Sequence, residues 1–175
     1  MHSLKTPHYM RKDRIMKRKT AIDLIWQILL AVAIVVADRA MKLYIIANCT
    51  TGEVFGEIPY FADFLYVKNT GAAFSVLSNN TALLSAISFL FLVAIIIYKI
   101  IRKPKHFMEN LALVLFFAGG LGNAIDRIQY KVVVDFIDIK WFDFPVFNIA
   151  DIAVVGGAIA AIIFVLFFDK EKKNG

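Results

Sequence analysis

The sequence is poor in the residues that build disulfides and metal centres. It contains one cysteine, Cys49, and three histidines among its 175 residues. A single cysteine excludes an internal disulfide and a cysteine-rich metal site. The histidines, His2, His8 and His106, lie in basic segments, and none belongs to an HExxH pattern, so a zinc site of that kind is also excluded.

Charged residues are scarce as well. They make up 19% of the chain, against 59% hydrophobic residues, and the mean hydropathy is +0.67. Soluble domains carry about a quarter charged residues. The net charge is +6, but the basic residues lie in tails and short loops and form no basic face for nucleic acid. The composition therefore predicts an integral membrane protein of one domain that binds no nucleic acid.

Four apolar segments are long enough to cross a hydrocarbon core that needs about 20 helical residues. They are Ile22–Ile46, Thr81–Ile101, Asn110–Gln129 and Asn148–Phe168. Lys and Arg number fourteen in the two tails and the 99–105 loop, but only three in the connections 47–80 and 130–147. Because positive charge marks the cytoplasmic side, both termini are predicted to be cytoplasmic and the two longer connections to face outward.

The first outer connection contains two β-prone segments. Residues 53–58 and 64–67 are rich in aromatic and β-branched side chains with partial alternation, and Gly52 and Pro59 interrupt the connection. The predicted fold class is therefore a membrane all-α protein with four transmembrane helices and a small extracytoplasmic β-sheet on the surface of the phospholipid bilayer. The predicted organisation is a basic cytoplasmic tail, a four-helix membrane domain and a second cytoplasmic tail, at residues 1–20, 21–169 and 170–175.

Acidic residues occur at one level in three of the predicted spans. Asp38 lies about 21 Å along the first helix, and Asp126 about 22 Å along the third, at the helical rise per residue. Asp151 lies in the first turn of the fourth helix, which enters from the outside. Charged groups inside a membrane are costly, and they mark functional sites by default. We therefore expect these acids to converge near the outer leaflet surface.

Two pairs at i, i+4 spacing accompany the acids. Asp38 and Lys42 share one helix face, as do Asn123 and Arg127. Either pair could border a substrate cleft. Alternatively, the first could be an interfacial ion pair with Lys42 and Arg39 snorkelling to water, and the second part of a structural hydrogen-bond network. Asp126 is rotated by about 100° from Arg127, which indicates a different partner, and Lys42 is one candidate.

Asp135 and Asp151 differ from the other acids because neither has a basic neighbour in the sequence. If they face each other in an apolar environment, they must share a proton, and their pKa values then separate. One could activate water while the other polarises a carbonyl, as in an aspartyl peptidase. Asn148 could cap the fourth helix or orient Asp151. Asp138 and Asp143 are expected to form a solvated rim.

Two other classes of function stay open on the residues alone. The acids could form a proton or cation relay in a small transporter, although relays usually place carboxylates throughout the membrane depth. A non-catalytic assembly protein could instead dock through the small residues Gly156, Gly157 and Ala160.

Five motifs occur in a fixed order after residue 20. They are Asp38 with Lys42, Asn69-x-Gly71-Ala-Ala-Phe74, Gly119-Gly120-x-Gly122-Asn123-x-x-Asp126-Arg127, Val134-Asp135-Phe136 and Phe147-Asn148-x-Ala150-Asp151. Together they resemble the lipoprotein signal peptidase (signal peptidase II) family, the bacterial four-helix aspartyl peptidases.

The resemblance implies an intramembrane aspartyl endopeptidase of the bacterial cell membrane with its active site near the extracytoplasmic face. Such an enzyme removes signal peptides from diacylglyceryl-modified prolipoproteins by cleaving before the lipidated cysteine. It needs no metal or organic cofactor, a monomer suffices, and the cyclic peptide globomycin inhibits it. The implied catalytic dyad is Asp135 with Asp151. The implied supporting or substrate-binding residues are Asp38, Lys42, Asn69, Gly71, Asn123, Asp126, Arg127 and Asn148.

Overall fold

The computed structural model describes residues 8–71 and 80–169, with side chains described from residue 21 onward. Within these ranges the chain forms four long helices and a three-stranded sheet. In chain order the elements are α1 (His8–Asn48), β1 (Val54–Ile58), β2 (Ala62–Asn69), α2 (Thr81–Arg102), α3 (Phe107–Tyr130), β3 (Val133–Ile139) and α4 (Ile149–Ile163), which continues as a π-helical turn (Phe164–Phe168).

The four predicted membrane spans are confirmed. All four helices contain a stretch that is long and apolar enough to cross a bilayer, namely Ala21–Asn48, Thr81–Arg102, Phe107–Tyr130 and Ile149–Phe168. Helix α1 begins at His8, well before the apolar run, so helical structure extends into the predicted basic tail. The cytoplasmic placement of that tail stays a prediction, and residues 1–7 and 170–175 lie outside the described ranges.

Helix α3 is central to the bundle, because it packs against α1, α2 and α4. In lipid the hydrophobic effect does not drive helices together, so their association depends on close packing of small residues. A Cβ on Gly119 would lie 2.3 Å from the carbonyl oxygen of Ala150, and one on Gly122 would lie 2.8 Å from Oδ2 of Asp38. The glycines of α3 therefore let α1 and the start of α4 approach closely enough to share polar contacts.

The strands form one antiparallel sheet in the order β1-β2-β3. The two strands predicted in the first outer connection are present, and β3, which follows α3 almost directly, completes the sheet. Val134 and Phe136 of β3 pack with Tyr66 of β2 against Ile45 of α1. Because side chains alternate along a strand, Asp135 points to the opposite face. The extracytoplasmic position of the sheet stays a prediction.

The close approach of α3 and α4 predicts different effects of alanine at two glycines. Gly119→Ala forces a methyl group into the backbone of α4 and should cost about 1–3 kcal/mol of stability, as overpacking does. Gly156→Ala is the matched control, because the nearest atom to its Cβ is Cδ1 of Leu115 at 3.5 Å. Thermal unfolding in detergent should show a lower midpoint for Gly119→Ala alone. Equal midpoints would contradict the packing described here.

Candidate active site

Asp135 and Asp151 line the same cavity, although they come from different elements. Asp135 lies in β3, and Asp151 lies in the first turn of α4. The cavity has a volume of about 460 Å³, and its remaining walls are mostly apolar. Six of the residues predicted for the site line it, namely Asn69, Gly71, Asn123, Arg127, Asp135 and Asp151.

Asn148 bridges the two acids and also begins helix α4. Its Nδ2 donates to Oδ1 of Asp135 at 2.7 Å, and its Oδ1 accepts the backbone N–H of Asp151 at 3.0 Å. In return, Oδ2 of Asp151 accepts the backbone N–H of Asn148 at 3.1 Å. This reciprocal pair is a capping box, which satisfies N–H groups that a helix start leaves unpaired. Asn148 therefore caps the helix and orients both carboxylates.

Two further asparagines hold the other carboxylate oxygens. Asn69, at the end of β2, donates from Nδ2 to Oδ2 of Asp135 at 2.8 Å. Asn123, in α3, donates from Nδ2 to Oδ1 of Asp151 at 2.7 Å. Each acid thus accepts an N–H on both of its oxygens, which fixes its orientation in the cavity.

Burial changes the proton affinity of Asp135. Its side chain is 2% exposed, and this desolvation, followed by the nearby charge of Asp151, raises its pKa from 3.8 to about 6. The hydrogen bonds from Asn69 and Asn148 act in the opposite direction, because they stabilise the ionised form. Asp135 therefore holds a proton at pH values where an ordinary aspartate has lost it.

A fully buried ion cluster lies behind the cavity. The ammonium of Lys42 is 2.8 Å from Oδ2 of Asp38 and 2.9 Å from Oδ2 of Asp126. Lys42 is inaccessible to solvent, so it does not snorkel to water, and the predicted pairing of Asp126 with Lys42 is confirmed. The ammonium also donates to Oδ1 of Asn123 at 3.1 Å. Because that oxygen is occupied, the amide nitrogen of Asn123 is directed at Asp151.

The ion cluster is also bonded to the backbone next to each acid of the cavity. Oδ1 of Asp38 accepts the N–H of Ala150 at 3.0 Å, and Oδ2 of Asp126 accepts the N–H of Val134 at 3.2 Å. Ala150 and Val134 each directly precede one of the two cavity acids. Asp38, Lys42 and Asp126 do not line the cavity themselves. Their contacts are those of supporting residues, and a direct contact with substrate stays a prediction.

Arg39 adds a partly exposed cation at the edge of the cluster, and the sequence pattern alone assigned it no partner. Its Nη1 is 2.9 Å from Oδ1 of Asp126, and its Nη2 donates to the hydroxyl of Tyr130 at 2.9 Å and to Gln129. Its guanidinium also lies over the Tyr130 ring, 5.1 Å from the centroid. The sequence contains one signal for these contacts. Gln129 and Tyr130 follow Asp126 by three and four positions, so they lie on the same face of α3 as Asp126.

The remaining predicted residue of this group, Arg127, lines the cavity and donates from Nη2 to the carbonyl oxygen of Gly71 at 3.4 Å. Gly71 in turn donates its N–H to Oδ1 of Asn69 at 2.9 Å. The rest of that motif, Ala72 to Phe74, lies outside the described residues. Among the residues that are described, no three of the types His, Cys, Asp or Glu are grouped to hold a metal ion.

Four helices that can span a membrane and a cavity with two oriented carboxylates define a membrane protein with a candidate active site. The profile of the family described as signal peptidase (SPase) II matches residues 30–167. The chain belongs to the signal peptidase II family and is a multi-pass membrane peptidase.

Individual relatives agree with this assignment. A lipoprotein signal peptidase of Clostridium acetobutylicum is 39% identical over 152 residues, which cover 85% of this chain and 98% of the relative. One from Staphylococcus aureus is 38% identical over 149 residues, covering 84% and 91%. A solved structure described as a bacterial membrane enzyme superposes with a TM-score of 0.77 at 37% identity, covering 84% of this chain and 90% of that one.

The buried cluster predicts a large loss of stability when its central cation is removed. Lys42→Met leaves Asp38 and Asp126 buried without that counter-ion, which should cost about 3–5 kcal/mol. Lys140→Met is the matched control, since Lys140 pairs with Glu57 and Asp63 at the surface, where ion pairs contribute little. Chemical unfolding in detergent should separate the two variants clearly. If both lose the same small amount, the cluster does not hold the bundle together.

Proposed function

We propose that this chain is an intramembrane aspartyl endopeptidase that removes signal peptides from diacylglyceryl-modified prolipoproteins, cleaving before the lipidated cysteine. The observation that carries the proposal is the pair Asp135 and Asp151. Both line one cavity, each is fixed by asparagine N–H groups on both oxygens, and Asn148 joins them. The lipoprotein signal peptidases to which the chain is similar supply the substrate class.

The two acids lie in different surroundings. Asp151 lies in the first turn of α4, where its Oδ2 accepts the N–H of Asn148. Asp135 is buried in β3, and its pKa is raised to about 6. We therefore assign Asp151 as the general base and Asp135 as the protonated partner. A raised pKa on one carboxylate of a pair is typical of the member that acts as the acid.

The chemistry follows from this assignment. Asp151 removes a proton from a water molecule, and the oxygen of that water attacks the carbonyl carbon of the scissile peptide bond. Asp135 donates its proton to the carbonyl oxygen, so that no isolated oxyanion forms in the apolar cavity. When the tetrahedral intermediate collapses, Asp135 recovers its proton and Asp151 protonates the departing nitrogen. The two products, a carboxylic acid and an amine, leave the cavity, and the two aspartates return to their starting protonation state.

The apolar cavity walls suit a substrate that carries lipid. Phe142, Phe144, Phe147, Val154 and Val155 line the cavity beside the acids. They offer apolar surface to acyl chains or to the apolar residues of a signal peptide. The site would open toward the extracytoplasmic leaflet, with both termini in the cytoplasm, as the distribution of basic residues predicts. All the groups of the proposed dyad come from one chain, so a monomer suffices, and globomycin is expected to occupy the same cavity.

The dyad predicts that two conservative substitutions abolish cleavage. Asp135→Asn and Asp151→Asn each remove one member of the proton relay and should lower the rate of prolipoprotein cleavage by about 10²–10⁴-fold, the usual range for acid–base groups. Asp143→Asn is the matched control, because Asp143 is exposed and does not line the cavity. A gel-shift assay on a lipidated prolipoprotein measures all three. Wild-type cleavage by either dyad variant in folded protein would refute the assignment.

The raised pKa of Asp135 predicts the pH at which activity falls on the alkaline side of the pH profile. Since the proposed mechanism needs Asp135 protonated, kcat/KM should fall as the pH rises through about 6. Asn69→Ala removes a donor that stabilises ionised Asp135. The pKa should then rise further, and the falling limb should move to higher pH. A limb that stays in place or moves to lower pH in this variant would contradict the role of Asp135 as the acid.

A further inference from the structure

An aromatic cluster lies at the end of the sheet that points away from the two acids. We call it the aromatic tip, and it consists of Tyr60 and Phe61 between β1 and β2 with Trp141 after β3. Tyr60 is 88% exposed and Trp141 is 68% exposed. The rings of Phe61 and Trp141 meet edge to face at 5.2 Å, and the Trp141 indole N–H donates to the carbonyl of Tyr60. The two loops thus present their rings as one preassembled surface.

The position of the tip relative to the membrane can be inferred from the contacts between the sheet and α1. Tyr66 of β2 packs against Ile45 of α1. Phe64, two residues closer to the tip, borders a groove that Met41 and Ala37 also line, one and two helical turns earlier in α1. The groove between the sheet and α1 therefore runs along the membrane span Ala21–Asn48. A sheet that follows this groove lies beside the span, which favours a tip at the level of the lipid.

Three charged residues form an ion group next to the tip. Lys140, which directly precedes Trp141, lies 3.0 Å from Oε2 of Glu57 and 2.6 Å from Oδ1 of Asp63. The tip therefore lies beside an ion group in which one lysine bonds two acids. Rings of this kind, with the indole N–H already bonded, suit the boundary between acyl chains and headgroups, where Trp and Tyr are enriched in membrane proteins.

We propose that the aromatic tip inserts into the interfacial layer of the phospholipid leaflet next to the cavity. Its partner is the lipid surface itself, because the groove of about 550 Å³ between the sheet and α1 is apolar and continues the lipid-facing side of the first span. Insertion anchors the far ends of β2 and β3. Their near region carries Asn69 and Asp135, so the anchor holds the sheet side of the site at a constant height relative to the bilayer.

The test uses the fact that the chain has two tryptophans, Trp26 and Trp141. Trp26→Phe leaves Trp141 as the only indole, and this variant is reconstituted into phosphatidylcholine vesicles. In one preparation the acyl chains carry bromine near the glycerol end, and in another near the methyl end. Bromine near the glycerol end should lower Trp141 emission roughly twofold, while the deep bromine should act more weakly, as expected for an interfacial ring. Iodide on both sides of the vesicle should quench little.

The converse variant, Trp141→Phe, leaves Trp26 in the first span as a reference for an indole already placed in the membrane. It confirms that the brominated lipids reach the protein. Strong quenching of Trp141 by iodide, with no effect of either brominated lipid, would place the tip in water and overturn the proposal. Emission that neither quencher reaches would indicate that a protein surface, such as a second copy of the chain, covers the tip, and this would overturn it too.

Discussion

The rest of the structure depends on the ion pairs that the buried ammonium of Lys42 makes. The ammonium is shared between Asp38 on its own helix and Asp126 on α3, in a region that water does not reach. Removing Lys42 leaves Asp38 without a counter-ion at low dielectric, where the cost is high, and leaves Asp126 with Arg39 alone. The two carboxylates also accept backbone N–H groups of α4 and β3. One cation therefore fixes the relative positions of three helices and a strand.

This arrangement separates charge compensation from the proposed chemistry. The cations of the cluster neutralise Asp38 and Asp126, whereas the two cavity acids receive neutral amide donors from Asn69, Asn123 and Asn148. A lysine or arginine bonded directly to either cavity acid would hold it ionised and prevent the exchange of a proton between them. Amides fix the geometry of a carboxylate and still allow its charge to change. The asparagines thus serve an acid–base pair better than basic residues would.

Much of the fold could be predicted from the sequence, since each span and the two strands of the first outer connection leave a local signature. The four spans follow from apolar length, and the pairing of Asp38 with Lys42 follows from helical spacing. The amide network could not be derived in this way, because Asn69, Asn123 and Asn148 come from three distant parts of the chain. The contacts of Arg39 with Asp126, Gln129 and Tyr130 could not be derived for the same reason. A single sequence gives the face on which a side chain lies, but not which distant group meets it.

The capping box of α4 has a consequence for how the site arises. The same two residues, Asn148 and Asp151, both start the helix and supply a carboxylate to the cavity. An unfolded first turn would release Asp151 and withdraw the bridge from Asn148 to Asp135 in one event. The start of α4 and the position of Asp151 therefore form together, and the bond from Asn148 to Asp135 forms with them. Selection acting on the insertion and folding of α4 would at the same time preserve the geometry of the two acids.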